Sequence, residues 1–250
     1  MCTLVAFIRG WPEFPLVVAA NRDERLDRAA SGPTRWAGEK FFAPRDEQAG
    51  GTWLGLHESG LFVGVTNRAG SPRDGSRASR GQLVIDTLRL GDAQRIHEAF
   101  SSTLDARSYN PFHLLYADRN AAFVTWFDGS AMHQQELLPG LTVVTERSLG
   151  GDDRGREARV RRMLQPLLTQ VTPPALEELA PTMRDHVDGD PLASVCVHVP
   201  GLGYGTRSSL LLEVSVGLGK RRWLWADGAP CSTGYREIEV GGPWMSPRSA

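Results

Sequence analysis

Three pairs of short apolar runs, each pair joined by a turn, constrain this chain more than any other feature. Residues 3–8 and 16–20 read as buried strands, with Gly10, Trp11 and Pro12 at the turn. Residues 52–57 and 61–66 form a second pair around Glu58, Ser59 and Gly60. Residues 112–117 and 122–127 form a third, turned at Asp118, Arg119 and Asn120. Later strands are expected at residues 194–199, 209–216 and 222–226. Hairpins of this kind demand antiparallel sheet.

Two blocks carry helical spacing instead. Leu83, Ile85, Leu88, Ile96, Ala99 and Phe100 lie in a stretch broken by Gly91, with Asp92 placed to cap a second helix. Val160, Met163, Leu164, Leu167 and Leu168 give one apolar stripe, and Leu176, Leu179 and Met183 another, with Thr172 as the expected cap of the later helix. Strands, helices, strands, helices, strands in that order indicate an α+β layered fold. With no repeat or long linker, residues 1–250 read as a single domain. The Gly-, Ser- and Arg-rich stretch 67–80 reads as a mobile loop beside a strand end, and the tail from about residue 241 as frayed.

Composition excludes several classes. With 28 basic and 29 acidic residues the net charge is −1, so no global attraction to nucleic acid is expected. The basic residues are Arg except for Lys40 and Lys220, and Arg offers rigid forks for anions. Three cysteines without C-x-x-C spacing indicate neither a disulfide framework nor a zinc cluster, and a reducing cytoplasmic location is expected. The six histidines show no metal-ligand spacing, so no metal is expected. Cys196 and His198 share one face of an apolar run, which is either core or pocket. The apolar start is interrupted by Arg9, Pro12, Glu13 and Pro15, against a secretory signal, and no apolar run is long enough to span a membrane.

Chemistry concentrates at the amino terminus. Removal of Met1 before the small Cys2 would leave a thiol and a free α-amine on one residue. An α-amine has an unperturbed pKa of about 7.7–8.0, so it serves as a base near neutrality, while the thiolate is a strong nucleophile. A small buried strand residue is the competing reading of Cys2. Ala20-Asn21-Arg22-Asp23-Glu24 follows an apolar run, where a polar loop is expected to begin beside the first strand. A carboxylate there can hold an α-amine, although Asp and Asn also commonly cap strand exits.

These residues occur in order with Trp36, Gly50-Gly51-Thr52-Trp53-Leu54-Gly55, Thr66-Asn67, Ser79-Arg80-Gly81-Gln82-Leu83 and Tyr204-Gly205-Thr206-Arg207. The set resembles the NRDE family, also called the transport and Golgi organisation protein 2 family. That family is similar to the cysteine branch of the N-terminal nucleophile (Ntn) hydrolases, with bile-salt hydrolases and penicillin V acylases. The resemblance implies an αββα sandwich of two stacked antiparallel sheets with helices outside. It implies Cys2 as nucleophile, Asp23 as the carboxylate that positions amine and thiol, Asn67 as an oxyanion or substrate contact, and Arg207 as a cation near the thiolate. Asn21, Arg22, Glu24, Trp53, Arg68, Arg80 and Arg147 complete the expected substrate-binding set.

Two departures stand out. The arginine that precedes the carboxylate by three residues in the acylases falls on Ala20. Where relatives carry Leu-Ser-Asn, with an oxyanion-binding amide, this chain has Thr145-Glu146-Arg147. The function expected from the resemblance is metal-free hydrolysis of a carbon–nitrogen amide bond in a small acyl substrate. The alternative is a non-catalytic carrier of heme or acyl-CoA on the same fold, with arginines meeting propionates or phosphates. The arginines at 68, 73, 77 and 80 would then lie beside the site, while the cluster from 154 to 162 reads as solvated surface.

Overall fold

Burial on both faces explains why the strands read as continuous apolar runs. In β1 (Cys2–Trp11), Leu4, Ala6 and Ile8 face one core, while Val5 and Phe7 face another. In β2 (Phe14–Arg25), Leu16, Val18 and Ala20 alternate with Val17 and Ala19 in the same way. A sheet covered on both sides has no polar face to produce alternation. The structure is a computed structural model, and it describes residues 2–70, 73–150, 155–216 and 221–239. Met1, the expected frayed tail and Arg154 lie outside the described residues.

The remaining strands complete two antiparallel sheets. They are β3 (Ala30–Arg35), β4 (Phe41–Asp46), β5 (Leu54–His57), β6 (Phe62–Asn67), β7 (Phe112–Ala117), β8 (Ala122–Phe127) and β9 (Met132–Glu136), followed by β10 (Gly140–Thr145), β11 (His198–Val199), β12 (Tyr204–Val214), β13 (Arg221–Ala226) and β14 (Arg236–Glu237). One sheet runs β10-β1-β2-β12-β13-β14, with β11 paired to β12. The other runs from β3 to β9 in chain order. Leu4, Val18 and Leu212 of the first sheet share a core with Phe42, Leu56, Leu115 and Val124 of the second. Trp223 meets Phe42 edge-on across this interface, their rings 5.2 Å apart.

Helices cover the outer faces. The helices α1 (Arg80–Leu90) and α2 (Ala93–Ala99) bury Leu83, Leu88 and Ile96 against Val63, Leu114 and Tyr116. The helices α3 (Arg156–Leu164) and α4 (Ala180–Met183), with short 3-10 turns, bury Val160, Leu164 and Met183 against Val5, Phe7 and Leu211. The layers are therefore α, β, β, α, and the fold is the αββα sandwich of the Ntn hydrolases.

Local readings mostly hold, with three exceptions. Asp92 caps α2, its carboxylate accepting from the Arg95 N–H at 2.9 Å. Thr172 caps nothing described, because the next turn starts at Leu176 and Glu178 reaches back to the Ala175 N–H. Residues 21–25 are not a polar loop but the continuation of β2, flanked by Cys2 on β1 and Thr206 on β12. The expected strand 194–199 shrinks to His198–Val199. In the stretch after Asn67 the Asn110 amide donates to the Asp74 carbonyl and accepts from the Asp74 N–H, each at 2.8 Å.

Candidate active site

Register decides which side chains meet Cys2. Cys2 lies opposite Arg22 on β2, so the two share a face, and Asp23 lies one step beyond the pair. A bulge between Thr206 and Ser208 keeps β12 against this end of β2. Thr206 Oγ1 donates to Asp23 Oδ1 at 2.7 Å, and the Tyr204 hydroxyl donates to the Asp23 carbonyl at 2.9 Å.

Cys2 opens into a cleft of about 430 Å³. Asp23, Glu24, Trp53 and Asn67 also line it, with six arginines: Arg22, Arg28, Arg68, Arg73, Arg77 and Arg80. Among the described residues three carboxylates, those of Asp23, Glu24 and Asp46, line it against them. The start of α1 also lines the cleft, and its first turn adds the positive end of the helix dipole. Gly51 and Gly81 explain two of the sequence motifs together. A Cβ on Gly51 would come within 2.7 Å of the Gly81 backbone, so the turn before β5 and the start of α1 meet main chain to main chain.

Arg22 is the cation that shares the Cys2 face. It is 5% exposed and lies over the Trp53 ring at 4.3 Å. Its Nη2 donates to Asp46 Oδ2 at 3.1 Å, while Nη1 has no hydrogen-bond partner among the described residues. Arg28 Nε donates to the same Asp46 oxygen at 2.7 Å. Burial alone would raise Asp46, but the Arg28 bond, the Ala49 N–H and the two guanidinium charges hold it below the usual range. Arg80 donates to the Pro111 carbonyl at 2.9 Å, and burial lowers its pKa.

Burial pushes the Cys2 thiol up, and the Asp23 carboxylate adds to this, while the Asp23 N–H and Arg22 oppose it. Burial also raises Asp23, to about 6, against the pull of Arg156 and the Thr206 hydroxyl. Arg156 Nη1 lies 4.0 Å from Asp23 Oδ2 and 3.0 Å from Glu146 Oε2, and it donates through Nη2 to the Leu192 carbonyl. Sequence reasoning missed this arginine, having read its cluster as surface. Glu146 is thus paired inside the protein rather than set against a substrate oxygen.

Several expected contacts need correction. Asn21 does not line the cleft: strand alternation turns it to the helical layer, where Nδ2 donates to the Met183 and Val195 carbonyls at 2.9 Å each. Arg207 occupies the β12 bulge and lines neither cavity that contains Cys2. Arg22 and Arg80 are the cations at the thiol instead. Arg147 likewise lines neither cavity. Arg68 lines the cleft, but its guanidinium is committed to His113 Nε2 at 2.7 Å and to the Ser148 and Leu149 carbonyls at 3.0 and 3.1 Å.

Fold and site together define a sandwich of the Ntn-hydrolase type, with a cysteine at the start of its first strand. Structural comparison agrees. Conjugated bile acid hydrolase from Clostridium perfringens, solved as an alanine mutant, superimposes with a TM-score of 0.55 at 10% identity, covering 96% of this chain and 97% of that one. The family model described as Transport and Golgi organisation 2 matches residues 1–217, and the chain belongs to that family. The Transport and Golgi organization protein 2 homolog of Bos taurus is 28% identical over 233 residues, covering 80% of this chain and 82% of its own. The Homo sapiens homolog is 28% identical over 113 residues, covering 44% of this chain and 41% of its own.

Proposed function

We propose that the protein is a thiol amidohydrolase whose nucleophile is Cys2, exposed as the first residue by loss of Met1, and that its substrate is a small acyl amide carrying a negative group. One observation carries this reading: Cys2 opens into a cleft where, among the described residues, arginines outnumber carboxylates two to one. Asp23 lies one register step past Cys2, beside the position that the α-amine of a chain beginning at Cys2 would take. It is the group suited to hold that amine.

The chemistry then follows known acyl-transfer logic. The Cys2 sulfur attacks the amide carbonyl, its proton passes to the α-amine, and a tetrahedral oxyanion forms. Asn67 is the cleft amide suited to that oxygen, and one such donor is worth about 2.7–4 kcal/mol in related chemistry. The α-amine returns the proton to the departing nitrogen, the C–N bond breaks, and a thioester remains. Water, deprotonated by the same amine, releases the acid. Arg80 and Arg73 are suited to an anionic substituent at the mouth.

The same arginines favour a second reading, a carrier of heme or acyl-CoA that holds propionates or phosphates in this cleft without chemistry. One experiment separates the two. Amine release is followed across matched acyl amides with anionic and neutral substituents, and hemin and acyl-CoA are titrated in parallel, for wild type and Cys2→Ala. Hydrolysis that favours the anionic series and disappears in Cys2→Ala supports the hydrolase. No hydrolysis, with tight hemin or acyl-CoA binding unchanged by the substitution, supports the carrier. A cytoplasmic location belongs to the proposal. Among the described residues no helix is long and apolar enough to cross a membrane.

A further inference from the structure

Away from the cleft, His186, Cys196, His198 and Cys231 bring one nitrogen or sulfur each into a group whose atoms all lie within 4.8 Å of one another. They come from three chain segments: the loop after α4, the run into β11, and the turn between β13 and β14. Local spacing therefore gives no signature. His198 Nε2 lies 3.5 Å from Cys196 Sγ and 3.2 Å from Cys231 Sγ, and the His186 and His198 rings are 5.2 Å apart. A tetrahedral zinc with bonds of about 2.0–2.3 Å has ligand–ligand edges of about 3.3–3.8 Å. The group is thus close to the size of that tetrahedron before any metal draws it in.

We propose that these four side chains form a structural zinc site of the two-cysteine, two-histidine type. Two thiolates with two imidazoles suit zinc among the common divalent ions, and four protein ligands leave no open position for catalysis. The backbone is already tied around the group. The Asp185 carbonyl accepts from the Val195 and Cys196 N–H groups at 3.2 and 3.0 Å, fastening the His186 loop to the Cys196 segment. The Val187 N–H donates to Ser194 Oγ at 2.9 Å. Asn21 holds the Met183 and Val195 carbonyls from below.

The site's place gives it a consequence. The Val197 N–H, between Cys196 and His198, donates to Thr206 Oγ1 at 2.8 Å, and that hydroxyl holds Asp23. A metal cross-linking these segments would fix the support of Asp23, so the zinc ligands are positioning residues rather than catalytic ones.

The test is metal analysis of the full chain, purified under reducing conditions and reloaded with Zn²⁺. The proposal expects about one zinc per chain, retained through desalting. Cobalt in its place should give the intense visible bands of a tetrahedral site and a sulfur-to-cobalt charge-transfer band. Cys231→Ser and His186→Gln replace exposed side chains, so folding should survive. Each should weaken zinc binding at least about tenfold, since even the loss of an outer-shell partner costs that much. Cys2→Ala should change neither metal content nor spectrum. Substoichiometric zinc after reloading, or a cobalt spectrum untouched by Cys231→Ser, overturns the proposal. So does a Cys196–Cys231 disulfide in most molecules isolated without reductant.

Discussion

Replacing Arg156 by methionine should destabilise the protein more than loss of any single surface ion pair. The Arg156 and Glu146 side chains are 3% and 7% exposed, with 3.0 Å between Nη1 and Oε2, and the Asp23 side chain beside them is fully buried. Solvent screens such a pair little, and removing Arg156 takes the nearest buried cation from the Glu146 carboxylate. Breaking a buried pair costs roughly 3–5 kcal/mol. At about 2–4 °C per kcal/mol for a chain of this size, Tm should fall by roughly 6–20 °C. The assay is urea and thermal unfolding of wild type, Arg156→Met, Glu146→Gln and the double variant. The double variant should recover a large part of the loss, because it carries one fewer unpaired buried charge. A loss below about 1 kcal/mol for Arg156→Met, typical of an exposed pair, would refute the reasoning. So would strictly additive effects of the two substitutions.

Burial and the neighbouring Arg68 depress His113 to about 3, so the folded protein keeps it neutral while the unfolded chain protonates near pH 6.5. This contribution to stability is whole above pH 6.5 and is lost as pH falls toward 3; between pH 7.5 and 5.0 it should amount to about 2 kcal/mol in urea unfolding, and His113→Gln should remove that component. Gly51→Ala would set a methyl 2.7 Å from the Gly81 backbone, so the start of α1 must move. A stability loss of about 1–3 kcal/mol should accompany weaker anion binding in the cleft, both checked by calorimetry. Arg80→Gln should raise KM for an anionic acyl amide while leaving a neutral analogue unaffected, as steady-state kinetics would report.

The apolar hairpins were legible because burial on both sheet faces demands continuous runs, as in β1, β2, β7 and β8. The strands β3, β4 and β9 were not, because polar residues such as Ser31, Arg45, Gln134 and Gln135 occupy them and their pairing partners are set by the sheet. The candidate site was legible where chemistry and sequence coincide, at Cys2, Asp23, Arg22 and the arginines after Asn67. It was not legible where side-chain direction decides. Asn21 and Arg22 are neighbours on one strand, yet alternation sends the first to the helical layer and the second to the cleft. Arg156 was missed because an arginine in a basic run carries no mark of burial. The His186, Cys196, His198 and Cys231 group was missed because tertiary folding alone assembles it.

The most direct measurement is intact mass and adduct mapping after brief treatment with an anionic, thiol-directed acyl probe at neutral pH. The account predicts a chain that begins at Cys2 and a single acyl adduct on that residue, its formation slowed by Arg80→Gln. A chain that retains Met1, or label on Cys196 or Cys231 with Cys2 unmodified, would contradict it.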